Sequence, residues 1–225
     1  TTHYMMGGIS VDGDTQMSTV PGLFAAGEVT AGLHGANRLG GNSLSDLLVF
    51  GKRAGEHAAN WASENSAPAV DTGQVESAIR SALAPFDREG EGPYQIQHEL
   101  QDRMQDLVGI VRMESEMQEA LGHIETLRQR SQSVSVQGHR QYNSGWHTAM
   151  DLSNLLDVSE AITRAAIERK ESRGAQFRED FPEKSAEWGK YNLVVRRGSD
   201  GEMIVEKHDL RPMPDELKQI IEEMK

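Results

Sequence analysis

Arg38, His34 and His3 are the side chains of this sequence best suited to binding a small anion. Arg38 and His34 lie in a glycine-rich stretch, and His3 lies in the opening segment. A guanidinium offers paired donors that match a carboxylate edge to edge, and it stays charged when buried. Convergence of the two segments would hold both ends of a dicarboxylate in one pose. A surface arginine and two structural histidines are the alternative that spacing alone leaves open.

The residues on either side of this stretch suggest a second binding device. Gly40-Gly41-Asn42-Ser43 opens a long predicted helix, whose free N–H groups and dipole favour an anion or an electron-rich ring beside Asn42, Ser43 and Leu44. The plain alternative is that Asn42 or Ser43 caps the helix. Glu28 ends an apolar run, where its carboxylate is either a strand-edge charge or an acceptor for hydroxyl groups of a ligand.

The elements that must position these residues are short strands and one helix. Strands are predicted at 8–11 and 23–26, with a turn at Asp12-Gly13-Asp14, because Asp-Gly supplies a positive φ. A helix is predicted from Ser43 to about Ser63. Its apolar positions at helical spacing predict a buried face, which comprises Leu44, Leu47, Leu48, Gly51, Ala54 and Ala58.

The rest of the chain reads as helical, with a hairpin near its end. A polar linker at 64–73 precedes a short helix at 75–83. Apolar stripes of period 3.6 predict three long helices, from Pro93, from Arg112 to about Arg130, and from Trp146 to Lys170. Opposed apolar faces predict that they pack as an antiparallel bundle. Two apolar runs flank Gly198-Ser199-Asp200-Gly201, which indicates a β-hairpin, and Pro214 begins a short acidic helix.

The composition excludes several classes of function. The 225 residues carry a net charge of −12, which argues against binding to nucleic acid or to anionic lipid. There is no cysteine, so this chain offers no disulfide, iron–sulfur ligand or thiolate zinc site, and we predict no metal site. No apolar run reaches the roughly 18 residues of a membrane helix, and we expect no signal peptide.

Two motifs in order resemble those of a known family. GLFAAGE…HGANRLGGNSL, between Gly22 and Leu44, and the opening T-x-H-Y-x-M-G-G-I segment from Thr2 to Ile9 resemble signatures of the flavoprotein subunit of succinate dehydrogenase and fumarate reductase. Glu171-Ser172-Arg173-Gly174-Ala175 resembles a third segment of the family, E-S-R-G-A-H, although Gln176 stands where histidine is common. That departure weakens a functional role at Gln176, and we expect this region to be structural.

The resemblance implies an α+β fold in three parts. Residues 1–63 would be the C-terminal portion of an FAD-binding α/β domain, residues 74–172 an antiparallel three-helix bundle, and residues 173–225 a small β-hairpin region and tail. Members of the family are more than twice this length, so we interpret the chain as a C-terminal part. No G-x-G-x-x-G followed by a helix is present to hold a dinucleotide pyrophosphate, so the FAD site is expected to be only partly present.

The resemblance also implies roles for individual residues. Arg38 and His3 would bind the carboxylates of succinate or fumarate, and His34 would lie beside them. The side chains expected to contact FAD are Glu28, Asn42, Ser43 and Leu44. The arginine that transfers the proton is expected upstream, so no catalytic residue is assigned in this chain, and the chain alone is predicted to bind FAD poorly and to be inactive.

The direct partner that the resemblance implies is an iron–sulfur subunit, through which the chain would reach membrane anchor subunits. This predicts a cytoplasmic protein, peripheral on the inner face of the cell membrane. Three alternatives stay open: an L-aspartate oxidase-like flavoenzyme, a soluble fumarate reductase, and a non-enzymatic module in which the helices and tail dock an iron–sulfur subunit.

Overall fold

The structure is a computed structural model, and it describes residues 3–224. The chain divides into two compact units. The first comprises the chain up to Arg80 together with Arg173–Ala175, and the second comprises the described remainder. Thr1 and Thr2, which precede His3 in the T-x-H-Y-x-M-G-G-I pattern, lie outside the described residues.

Residues 3–41 of the first unit are mostly irregular. The segments predicted as strands form only isolated bridges: Ile9 pairs with Thr30 in parallel, and Val11 with Ser18 and Met17 with Phe24 are antiparallel. The predicted strands at 8–11 and 23–26 are therefore wrong. The turn after Asp12 is present, and Asp12 Oδ1 accepts from the backbone N–H groups of Asp14 and Thr15. The expected positive φ at Gly13 is wrong, because the residue with a positive φ in this segment is Gln16, at 61°.

Helix α1 (Asn42–Glu64) dominates the first unit. Gly41 is its N-cap, at φ 85°, and no side chain bonds to the free N–H groups of the first turn. The expectation that Asn42 or Ser43 caps the helix is therefore wrong. Glycine reaches this left-handed conformation without steric cost. A helix capped by a side chain would not need this conformation at its N-cap.

The apolar face of α1 is largely open. Leu44, Leu47 and Leu48 are exposed, contrary to the prediction of a buried stripe. Within the described residues α1 packs chiefly on a short 3₁₀ turn, Gly27–Val29, where Leu47 approaches Gly27. Among the described residues little covers these leucines, so the periodicity of the sequence did not predict which side chains of α1 are buried.

In the second unit, three helices share an apolar core: α3 (Pro93–Leu107), α4 (Glu114–Ser131) and α5 (Ser144–Glu168). The main cluster contains buried side chains three or four residues apart on each helix, so that one face of each points inward. Its members are Ile96, Leu100, Ile124, Leu127, Val134, Leu152 and Leu156. Helix α2 (Thr72–Leu83) precedes them.

A two-residue strand interrupts the helices. Strand β1 (Val111–Arg112) pairs in parallel with β2 (Phe177–Arg178), so α4 begins at Glu114 and the predicted start at Arg112 is wrong. Arg178 is completely buried. It donates two hydrogen bonds of 2.7 Å to the carboxylate of Asp180, and it also donates to the carbonyl oxygen of Ala166 at the end of α5.

The chain then forms an antiparallel pair of strands, β3 (Tyr191–Arg197) and β4 (Met203–Asp209), followed by α6 (Asp215–Glu223). The pairing runs from Tyr191 with Asp209 to Arg197 with Met203. In the part of the chain that the structure describes, no helix has both the length and the apolar character needed to cross a lipid bilayer.

Candidate functional site

Arg38 and His3 lie side by side in the first unit. Nη2 of Arg38 is 3.5 Å from Nε2 of His3, although 35 residues separate them in the sequence. Nη1 of Arg38 donates to the carbonyl oxygen of the adjacent Leu39, at 3.1 Å, which fastens the guanidinium to its own loop. Two groups able to carry positive charge therefore point to one place, an arrangement suited to a carboxylate.

Tyr4 packs beneath this pair. The guanidinium carbon of Arg38 lies over the ring of Tyr4, 4.4 Å from its centre, and a cation in this position is attracted to the aromatic face. The ring of His34 meets the ring of Tyr4 in an edge arrangement with centres 5.3 Å apart. The sequence-predicted His34 thus contacts the cluster through Tyr4.

Asp46, on α1, belongs to the same cluster as His3, Tyr4, His34 and Arg38. Its carboxylate is 3.4 Å from Nε2 of His34, and its side chain is only 1% exposed. Sequence reasoning missed Asp46 and Tyr4. The signal for Asp46 was available, since it is a charged residue within the apolar positions of α1, next to Leu47.

Several polar atoms of this cluster are buried without a hydrogen-bond partner among residues 3–224. They are Tyr4 Oη, Arg38 Nε, His34 Nε2 and both carboxylate oxygens of Asp46. Buried polar groups are nearly always hydrogen-bonded in folded proteins, so a concentration of unpaired ones marks a place built to receive a polar partner.

The pKa of Tyr4 is raised above its ordinary value. Burial is the largest cause, the negative charges of Asp46 and Glu28 add to it, and Arg38 opposes them. The hydroxyl of Tyr4 therefore keeps its proton at neutral pH and is available as a donor.

Glu28 fastens the opening segment to the glycine-rich stretch. Its Oε1 accepts from the backbone N–H of Met5 at 2.6 Å. Next to it, Ile9 donates to the carbonyl oxygen of Val29, and Gly8 lies so close that a Cβ there would be 2.1 Å from the same oxygen. These contacts keep His3 and Tyr4 beside Arg38.

The start of α1 lies in the same unit, with Ser43 half-buried and Asn42 and Leu44 exposed. Among the described residues, no atom lies within 4 Å of a Cβ built on Gly40 or Gly41, so the space beside the helix start is open. The backbone N–H groups of Asn42 and Leu44 donate to the carbonyl oxygens of Leu39 and Gly41. The helix dipole still makes the space at the helix start favourable for negative charge.

The segment Arg173–Ala175 supports the loop that carries Arg38. The backbone N–H of Ala175 donates to the carbonyl oxygen of Ala36 at 3.0 Å, and Gly174 has φ 61°. A Cβ on Gly174 would be 2.2 Å from that carbonyl oxygen, so only glycine allows this approach.

Comparison with known proteins finds two family models that match this chain. The family model described as "Fumarate reductase flavoprotein C-term" matches residues 97–220, and that described as "FAD binding domain" matches residues 1–44. The first model alone covers more than half of the chain. The two matches follow one another in the order expected of a flavoprotein's C-terminal part.

Individual relatives and solved structures are also similar to this chain. The chain is 36% identical to the fumarate reductase flavoprotein of Mycobacterium tuberculosis over 90% of this chain and 36% of that protein. It is 37% identical to L-aspartate oxidase of Bacillus subtilis over 88% of this chain and 34% of that protein. It matches the structure of Mycobacterium smegmatis Sdh1 in complex with UQ1 at 47% identity and a TM-score of 0.92, over 98% of this chain and 38% of that chain.

The fold, the two matched models and the site therefore define a flavoprotein. The chain belongs to the family of succinate dehydrogenase and fumarate reductase flavoprotein subunits, which confirms the resemblance seen in its motifs. It spans about 36% of the length of the curated relatives that it matches.

Proposed function

We propose that the chain is the C-terminal part of a flavoprotein subunit that interconverts succinate and fumarate with FAD. The observation that carries the proposal is the contact of Arg38 with His3, over the ring of Tyr4. Fumarate reductase and succinate dehydrogenase flavoproteins are both among the similar proteins, and they share this reaction in opposite directions.

Arg38 and His3 would bind the substrate. The paired N–H groups of Arg38 hold one carboxylate edge to edge, and the imidazole of His3 donates to the same end of the molecule. His34 lies behind Tyr4 and is the third member of the substrate site. Positive charge held here stabilises the negative charge that develops on the substrate during the reaction. Proton transfer is assigned to no residue of this chain.

The residues present fit part of FAD. The open space at Gly40 and Gly41, beside the start of α1, suits the polar ring end of the cofactor. The side chains that would hold it are Glu28, Asn42, Ser43 and Leu44. FAD would supply the group that takes up or gives the hydride. The chain has no glycine-rich turn for the pyrophosphate, so we propose that the adenine end binds to other parts of the full-length protein.

The three-part division of the chain is part of the proposal. We take residues 1–63 as the end of the FAD-binding α/β domain, 74–172 as an antiparallel three-helix bundle, and 173–225 as a hairpin region. The shared core of α3, α4 and α5 and the pairing of β3 with β4 support the second and third parts.

We propose that the direct partner is an iron–sulfur subunit and that membrane anchor subunits are indirect partners. Similar proteins are subunits of complexes, which supports the presence of other subunits beside this chain without naming them. These 225 residues contain no cysteine to hold an iron–sulfur cluster. We propose that electrons leaving the flavin pass to the iron–sulfur subunit. The proposed location is the cytoplasmic face of the membrane.

A second candidate is an L-aspartate oxidase. The chain is 37% identical to such an enzyme and 36% identical to the fumarate reductase flavoprotein of Mycobacterium tuberculosis. Sequence identity therefore supports the two candidates about equally. Its substrate is also a dicarboxylate, so the contact of Arg38 with His3 would serve both. A docking module without activity of its own is compatible with either enzyme.

The test compares the full-length flavoprotein that contains this chain with the 225-residue chain alone. Each is supplied with FAD, an artificial electron acceptor, and either succinate or L-aspartate. We expect the full-length protein to oxidise succinate and the chain alone to be inactive. Turnover by the isolated chain would contradict the partial site, and oxidation of L-aspartate but not succinate would favour the second candidate.

A further inference from the structure

The hydroxyl of Tyr4 is a buried donor with nothing to donate to. Oη of Tyr4 is shielded from solvent and makes no hydrogen bond with any described residue. The same is true of Nε of Arg38, whose guanidinium lies over the Tyr4 ring. Two unpaired donors in one stack require an acceptor that comes from outside the described residues.

The ring that carries this hydroxyl is held on two sides. Arg38 covers one face at 4.4 Å, and the ring of His34 meets it at 5.3 Å. His34 is in turn held by the buried carboxylate of Asp46, 3.4 Å from its Nε2. Tyr4 is therefore not free to turn its hydroxyl to solvent, and Asp46 acts as a positioning residue for it.

The charges around the hydroxyl indicate what the acceptor is. The N–H groups of Arg38 and His3 make the space next to the Tyr4 ring favourable for an anion. Glu28 accepts from the backbone N–H of Met5, and the carboxylate of Asp46 lies 3.4 Å from Nε2 of His34. Neither carboxylate accepts a hydrogen bond from the hydroxyl of Tyr4. A carboxylate bound to the paired donors of Arg38 would bring a second oxygen to the same stack.

We propose that Tyr4 is a further substrate-binding residue, and that its hydroxyl donates a hydrogen bond to the dicarboxylate held by Arg38 and His3. The inference rests on the proposed function and adds a residue to its site. A hydroxyl that keeps its proton at neutral pH, as the raised pKa of Tyr4 requires, serves as this donor throughout the working range.

The decisive variant is Tyr4→Phe, which removes one oxygen atom and keeps the ring beneath Arg38. The FAD-loaded full-length protein is titrated calorimetrically with malonate, a dicarboxylate that cannot be dehydrogenated. We expect the Kd for malonate to rise about tenfold or more, as for the loss of a hydrogen bond to a charged group. The melting temperature should stay unchanged or rise, because the hydroxyl removed has no partner in the free protein.

Tyr142→Phe is the matched control, because Tyr142 is fully exposed. It should change neither the Kd nor the melting temperature. Arg38→Lys is included to separate the two proposals. If Arg38→Lys weakens malonate binding and Tyr4→Phe does not, the role of Tyr4 is overturned while the proposed function stands.

Two other results also overturn the inference. A lower melting temperature for Tyr4→Phe with an unchanged Kd would show that the hydroxyl has a structural partner in the full-length protein. Unchanged binding in both the Arg38→Lys and the Tyr4→Phe proteins would reject the proposed substrate site together with Tyr4.

Discussion

The guanidinium of Arg38 lies 3.5 Å from the imidazole Nε2 of His3. One residue belongs to the loop before α1 and the other to the opening segment, so the contact exists only because Glu28 and Val29 hold that segment against the loop. A guanidinium can only donate, so Nε2 of His3 is the acceptor in this contact. Both side chains also offer N–H donors to an anion, so their proximity suits a carboxylate-binding site.

We predict that Arg38→Lys raises the KM for succinate and fumarate at least tenfold in the full-length protein. Lysine keeps the positive charge but cannot offer the planar pair of donors that a carboxylate accepts edge to edge. Steady-state kinetics in both directions measures the effect. Arg80→Lys is the control, since Arg80 is largely exposed on α2, 71% for its side chain. An unchanged KM in the Arg38→Lys protein would show that Arg38 does not bind substrate.

We predict that Gly174→Ala impairs the site from a distance. The new Cβ would meet the carbonyl oxygen of Ala36 at 2.2 Å and would require an alanine at φ 61°, so the loop between His34 and Arg38 must shift. We expect a loss of stability on the order of 1–3 kcal/mol and a raised KM. Thermal unfolding and kinetics measure the two effects.

Gly13→Ala is the control for this change, since the space around Gly13 is open. It should leave both quantities nearly unchanged. A Gly174→Ala protein with normal stability and normal KM would show that Arg173–Ala175 does not support the loop.

The long helices and the paired strands near the end of the chain were predictable because they follow simple periods. Leu152 and Leu156 lie one turn apart on α5 and both enter the core, as the period of 3.6 requires. The glycine and aspartate residues between β3 and β4 marked that turn equally well.

The first unit was less predictable, and the reason is physical. Periodicity shows which face of α1 is apolar but not whether anything covers it, so Leu44 and Leu48 were expected inside and are exposed. Gly41 is the N-cap because the chain adopts a left-handed conformation at that position. The pattern of side chains does not reveal such a requirement of the backbone. Motifs pointed to Arg38 and His3. Asp46 was missed although it is a charged residue among the apolar positions of α1, and the contact of Tyr4 with Arg38 emerged only from the three-dimensional structure.

Asp180 should make stability depend on pH. The hydrogen bonds from Arg178 lower the pKa of Asp180 from 3.8 to about 2. Because the folded-state pKa is depressed, the stabilisation is fully present above about pH 4 and is lost as the pH falls through about 2. The difference corresponds to about 2 kcal/mol.

We therefore predict that Asp180→Asn lowers the free energy of unfolding by about 3 kcal/mol at pH 7, because it removes a partner of the buried Arg178. The deficit should shrink as the pH falls from about 4 to about 2. Denaturant titrations across this range measure it. Asp215→Asn removes a 96% exposed carboxylate that pairs with Lys218 on α6, so it should cost distinctly less. A pH-independent deficit in Asp180→Asn would contradict the ion pair as its cause.

Leu156→Ala should destabilise the helical unit by about 2–5 kcal/mol, because Leu156 is completely buried among α3, α4 and α5 and truncation leaves a cavity. Its neighbour Leu155 is 36% exposed, so Leu155→Ala should cost distinctly less. Chemical unfolding of the two proteins makes the comparison. Equal losses at both positions would argue against the observed inward face of α5.

The most direct measurement is a crystal structure of the FAD-loaded full-length protein with malonate bound. We expect one carboxylate of malonate to accept hydrogen bonds from the guanidinium of Arg38 and the imidazole of His3, with the start of α1 beside the flavin ring. Malonate bound at another place, with Arg38 and His3 contacting only protein atoms, would contradict the assignment of this chain as the carboxylate-binding part of the enzyme.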